Sequence, residues 1–117
     1  MRIRRIVPDL HGDPARNREF YEQVIGLELG MDLGWIATFE SRSNETAQLI
    51  VISEDATAPV SPDVTIEVED IDQVHAKAVE GGYEIVHPPT DEPWGVRRFF
   101  VRDPNGAVIN VMMHIRA

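Results

Sequence analysis

Apolar and polar positions along the 117-residue chain fall into short runs whose period changes between two and about three and a half. "RIRRIV" at residues 2–7 alternates as a strand and is expected to end at Pro8. "HGDPARNREFYEQVIG" then carries helix signals in order: Asp13 as N-cap, Pro14 at the first helical position, and Gly26 as the stop. Phe20, Tyr21, Val24 and Ile25 form an apolar stripe at three- and four-residue spacing. "LELGMDL", "GWIATFES" and "TAQLIVISE" read as three strands, separated by Gly34 and by the polar "SRSNE".

After the Pro-containing "DATAPVSPD" the pattern restarts. "VTIEVED" is a strand, and "DIDQVHAKAVEGG" is a helix with Asp70 as N-cap and Gly81-Gly82 as its stop. Ile71, Val74 and Ala78 face inward, with His75 at the border of the stripe. "YEIVHPP", "VRRFFVRD" and "AVINVMMHI" are three further strands, and Asp103-Pro104-Asn105-Gly106 is a tight turn between the last two. The order strand–helix–three strands thus occurs twice, an internal repeat of about 55–60 residues. The expected organisation is α+β: one domain over residues 1–117, with module one at about 1–55, a connector at about 56–62 and module two at about 63–117.

Composition narrows the chemistry. A chain of this length can bury a core, and 43% hydrophobic residues is a globular composition. There is no cysteine, which excludes disulfides, Cys-ligated zinc and thiol nucleophiles and suits a reducing cytoplasm. No apolar run reaches the ~18 residues of a membrane span, so a soluble cytoplasmic protein without a membrane partner is expected. The net charge of −9 favours solubility and attracts cations, and its basic residues form no stripe that nucleic acid would require. No phosphate-binding loop, dinucleotide fingerprint or nucleophile elbow is present.

Four histidines are available. His11 precedes the first helix and His87 precedes Pro88-Pro89 in what reads as a loop, whereas His114 is in phase with Asn110 and Met112 and shares their sheet face. Arg4, Thr65 and Glu67 are expected to project beside Arg2 and Asp63, with Arg2–Asp63 as an ion pair. Trp35 opens a strand, and Trp94 sits in "EPWG", where Pro93 and Gly95 restrict and release the backbone on either side. Two indoles in a groove would offer stacking and cation–π contacts to an aromatic or cationic ligand.

"REFYEQVIGLELG", "VEDIDQVHAKAVEGGYEIV" and above all "EPWGVRRFFVRDPNGAVINVM" resemble the vicinal oxygen chelate superfamily, the group of glyoxalase I, bleomycin-resistance proteins and extradiol dioxygenases. The resemblance covers nearly the whole chain. It implies two βαβββ modules with cupped mixed sheets, and a homodimer that completes the cups. Catalytic members hold a divalent metal through His, Glu or Gln on the first and last strands of each module. Those positions fall here on Arg2, Ile50, Asp63 and Asn110, and a two-step slip brings in Gln48 or Arg4. Arginine and isoleucine cannot ligate, so the resemblance implies a member with no metal and no cofactor. In bleomycin-resistance members a matching Pro-Trp-Gly lines the drug groove. The function implied is metal-independent binding of a small molecule, for sequestration or carriage, at Arg4, Trp35, Asp63, Glu67, Trp94, Asn110 and His114. The alternative is a glyoxalase-like lyase, isomerase or dioxygenase that uses metal through a non-standard ligand set.

Overall fold

The computed structural model describes residues 2–115. Its elements are β1 (Ile3–His11), α1 (Pro14–Arg18) running into a π-wound segment (Glu19–Ile25), β2 (Glu28–Asp32), β3 (Ile36–Glu40), β4 (Gln48–Ile52), β5 (Val64–Val68), α2 (Ile71–Glu80), β6 (Ile85–Glu92), β7 (Val96–Arg102) and β8 (Val108–His114). The expected α+β class and the repeated strand–helix–three-strand order are both present. No helix among the described residues is long and apolar enough to cross a membrane.

The chain forms two compact units, Val7–Ser61 and a second made of the residues up to Ile6 together with those from Pro62 onward. β1 therefore contributes its two halves to different units.

In Val7–Ser61 the strand order is β2–β3–β4–β1, with β4 parallel to β1 and the other pairs antiparallel. Side chains on one side, Ala37, Phe39 and Val51, pack with Tyr21 and Leu27. On the other side Val7, Ile36, Ile50 and Ile52 form a second cluster, against which Met31 and Trp35 pack. β1 does not stop at Pro8. Its ladder with β4 begins at Asp9, so the missing Pro8 N–H removes no bond from it. His11 is consequently the last residue of a strand and not part of a loop.

Asp13 caps α1 through Ala15 N (3.1 Å), as its position before Pro14 predicts. The apolar stripe behind it is only partly buried. Tyr21 reaches Phe39 at 5.4 Å between ring centroids, while Phe20, Val24 and Ile25 remain exposed. The cause is the winding: a π-helix carries more residues per turn than an α-helix, so positions three and four apart no longer superpose.

In the second unit β5, β8, β7 and β6 follow one another, β5 and β8 parallel and the rest antiparallel. Arg2 O accepts from Glu69 N (3.0 Å), which sets the start of β1 against the end of β5. Asp70 caps α2 through Asp72 N (3.0 Å). The helix lays Ile71, Val74 and Ala78 on Val68, Phe99 and Val111, an apolar cluster that also takes Ile66, Ile109 and Met113. These strand residues alternate with those of the opposite side, as a sheet with one covered face requires.

Two substitutions test this packing. Phe99→Ala empties a fully buried aromatic site beneath α2 and is expected to cost about 3–5 kcal/mol in denaturant unfolding. Asp70→Ala, which removes only the cap, is expected to cost about 1 kcal/mol.

Candidate functional site

The side of the second unit's sheet that α2 does not cover is lined by polar side chains in register. One row across the strands reads Thr65, Asn110, Phe100, His87. The next reads Glu67, Met112, Arg98, Thr90, and a third reads His114, Val96, Glu92. Three polar groupings result.

The first centres on Glu67. Its Oε1 accepts from Arg5 Nε at 2.5 Å, and its Oε2 lies 3.1 Å from His114 Nδ1, which must therefore carry the proton. His114 is 61% exposed at its side chain, so the rest of its ring faces solvent. Burial pushes the Glu67 carboxyl upward, but the hydrogen bond from His114 and the charge and hydrogen bond of Arg5 outweigh it and hold the group below its ordinary value.

The second is the pair Asn110 Nδ2 to Thr65 Oγ1, 3.1 Å. Both residues are buried, and Asn110 is 8% exposed. Asn110 Oδ1 is enclosed without a hydrogen-bond partner. A buried acceptor left unpaired costs about 1–3 kcal/mol.

The third is built around Arg98. Its Nε donates to Glu92 Oε2 at 2.5 Å, both side chains being 3% exposed, and His87 Nε2 reaches the same oxygen at 3.2 Å. The guanidinium carbon stands 4.9 Å from the Trp94 ring centroid and 4.7 Å from that of Phe100. Trp94 lies in the turn between β6 and β7, where Gly95 N bonds Glu92 O and the Gly95 φ of 89° is one that side chains resist.

Several expectations change. Arg5, not Arg4, meets Glu67: successive side chains of a strand point to opposite sides, and a one-residue difference in register exchanges them. Arg4 is exposed. The Arg2–Asp63 ion pair does not form, because Arg2 lies against Glu69, at the other end of β5 from Asp63. The Asp63 carboxylate accepts from Val108 N (2.8 Å) and fixes the entry to β8. His87 is not in a loop; β6 continues through Pro88-Pro89 by shifting register on either side of His87, and the ring is buried. Glu67, Asn110 and His114 share one face as the alternation predicts, and Trp94 stands half-buried above Arg98. Trp35 belongs to the other unit, where it packs on the Ile36–Ile50 cluster.

Arg5 and Arg98 are the residues of these groupings that pattern reading passed over. A usable signal was present. In "VRRFFVRD" Arg98 and Phe100 alternate with Phe99 and Val101, so Arg98 had to lie on the same face as Phe100 and to require a carboxylate there.

The residues do not suit a divalent metal. Ile50 is part of an apolar cluster, Arg2 is a cation, Asp63 is engaged by backbone, and Asn110 offers one amide oxygen. Gln48 donates its amide to Glu45 O, and among the described residues no three His, Asp or Glu side chains converge.

Residues 10–111 match the family model described as Glyoxalase/Bleomycin resistance protein/Dioxygenase superfamily. The chain belongs to that superfamily. Among solved structures it is similar to an uncharacterized protein from Methanosarcina mazei, at 27% identity and a TM-score of 0.68, over 100% of this chain and 97% of that one. It is similar to an NAD-dependent benzaldehyde dehydrogenase structure from Legionella pneumophila, at 17% identity and a TM-score of 0.73, over 93% and 98%. It is also similar to a superfamily member from Vibrio splendidus 12B01, at 15% identity and a TM-score of 0.66, over 96% and 99%. The last two likenesses establish shared fold alone. No curated protein matches the chain. Membership in the superfamily fixes the architecture and leaves the chemistry to the side chains, since one fold hosts many activities.

Two outcomes are expected from this geometry. A lowered carboxyl contributes stability that is present above its unfolded value of 4.5 and lost as pH falls through the lower, folded value. Acid unfolding should therefore steepen below about pH 4.5, and Glu67→Gln should flatten that part of the profile. Glu92→Ala leaves Arg98 buried without its carboxylate and is expected to cost about 3–5 kcal/mol in chemical denaturation.

Proposed function

We propose that this superfamily member is a metal-independent small-molecule-binding protein of the bleomycin-resistance type, which holds its ligand against the helix-free face of β5, β8 and β7. The observation that carries this reading is Asn110: a buried amide oxygen, unpartnered in the protein, in a row with Thr65 and Phe100. A ligand donor that bonds this oxygen removes the cost of leaving it unpaired. His114 borders the same face with an exposed polar edge, and half-buried Trp94 supplies an aromatic one. The donor set described above supports binding without metal over a metal-dependent lyase, isomerase or dioxygenase.

The reading includes a homodimer. Phe20, Val24 and Ile25 form an exposed apolar cluster on the π-wound segment, the kind of surface that a second copy of a small chain covers. It also places the protein in the cytoplasm, which a chain without cysteine tolerates well.

Native mass spectrometry of gently purified protein tests the central claim. A retained organic adduct that Asn110→Leu loses is expected; one stoichiometric metal per chain, surviving dialysis and lost in Asn110→Ala, would refute it. Sedimentation at tens of micromolar should give about twice the 13.2 kDa chain mass, with Val24→Glu shifting the species to the monomer.

A further inference from the structure

We propose that Arg98 is a built-in occupant of an aromatic cation seat, and that the face consequently turns organic cations away and takes uncharged ligands bearing a hydrogen-bond donor. The inference rests on the binding reading above and names its ligand class.

A seat for an organic cation consists of ring faces and a carboxylate, out of reach of water. Trp94, Phe100 and Glu92 are such a set, and Arg98 fills it: one guanidinium between two rings, 4.9 and 4.7 Å from their centroids, with its Nε on Glu92. His87 takes part in the same carboxylate. The occupant is buried, Arg98 being 2% exposed, beneath a half-buried Trp94. An external cation could enter only by displacing a tethered one whose binding has no cost of association. The acidic balance of the whole chain draws cations toward the surface, yet this face offers them nothing once they arrive.

The charges on the face also balance. Arg5 faces Glu67, and Arg98 faces Glu92. Glu67 and Glu92 are thus both neutralised from within the protein, so a second cation would find neither of these carboxylates free and the seat filled. What remains unsatisfied is Asn110 Oδ1, in the row that contains Phe100, and it calls for an N–H or O–H donor rather than a charge.

Choline and 3,3-dimethylbutan-1-ol separate these demands, because they share shape and hydroxyl and differ only in charge. The reporter is the indole N–H resonance of Trp94, assigned by its loss in Trp94→Phe. In the wild-type protein the alcohol should move this resonance while choline leaves it in place. In Arg98→Ala, which empties the seat and leaves Glu92, choline should bind at least about tenfold more tightly than to wild type. Arg98→Lys, which keeps a cation for Glu92, is the second variant if Arg98→Ala does not fold, and there choline should still be excluded. Choline moving the wild-type resonance as readily as the alcohol overturns the proposal, as does choline binding to Arg98→Lys or a folded Arg98→Ala that gains none. If neither compound moves the wild-type resonance but Arg98→Ala takes choline, the occupied seat stands and the binding function of this face fails.

Discussion

The buried contact between Arg98 and Glu92 governs what the helix-free face of the second unit can be. It joins the end of β6 to β7 across the turn that carries Trp94, and fixes a guanidinium that lies over both the Trp94 and the Phe100 ring. Two charges out of water are costly, and their attraction repays the cost only when geometry is good and the remaining bonds are made. Here the 2.5 Å contact, the second donor from His87 and the two rings meet that condition. The opposite side of the same strands needs none of this, because α2 covers it with Ile71, Val74 and Ala78. One sheet thus has an apolar side covered by α2 and a side whose buried charges must be paired for the unit to fold.

Much of this was legible in the residues. Caps at Asp13 and Asp70, the turn at Asp103–Gly106 and the repeated element order are local signals, each set by backbone chemistry within a few positions. The departures have a common source, which is that neighbours distant in sequence override local preference. Pro8 and Pro88-Pro89 read as strand ends, yet each sits where its missing N–H breaks no ladder that matters. The apolar stripe of Phe20, Val24 and Ile25 obeyed an α-helical period that the chain abandons for π winding. The site was less legible than the fold for the same reason. Glu67, Asn110 and His114 follow from alternation within single strands, whereas Arg5 in place of Arg4 depends on the register between β1 and β5, separated by some sixty positions.

Superfamily membership sets the architecture, and the side chains set the local chemistry it carries. A divalent ion requires oxygen and imidazole donors gathered around a shared centre. In the second unit the two carboxylates on the helix-free face, Glu67 and Glu92, are each met by a guanidinium supplied from β1 or β7. A fixed organic cation differs from a metal in one consequential respect: it neutralises the carboxylate without leaving open coordination positions, so it cannot polarise a substrate's oxygens through direct ligation. The hydrogen-bonding capacity that remains is that of an amide oxygen and an exposed imidazole edge, groups that orient a ligand well and activate it weakly. Such groups can donate and accept hydrogen bonds, and they supply no open coordination position.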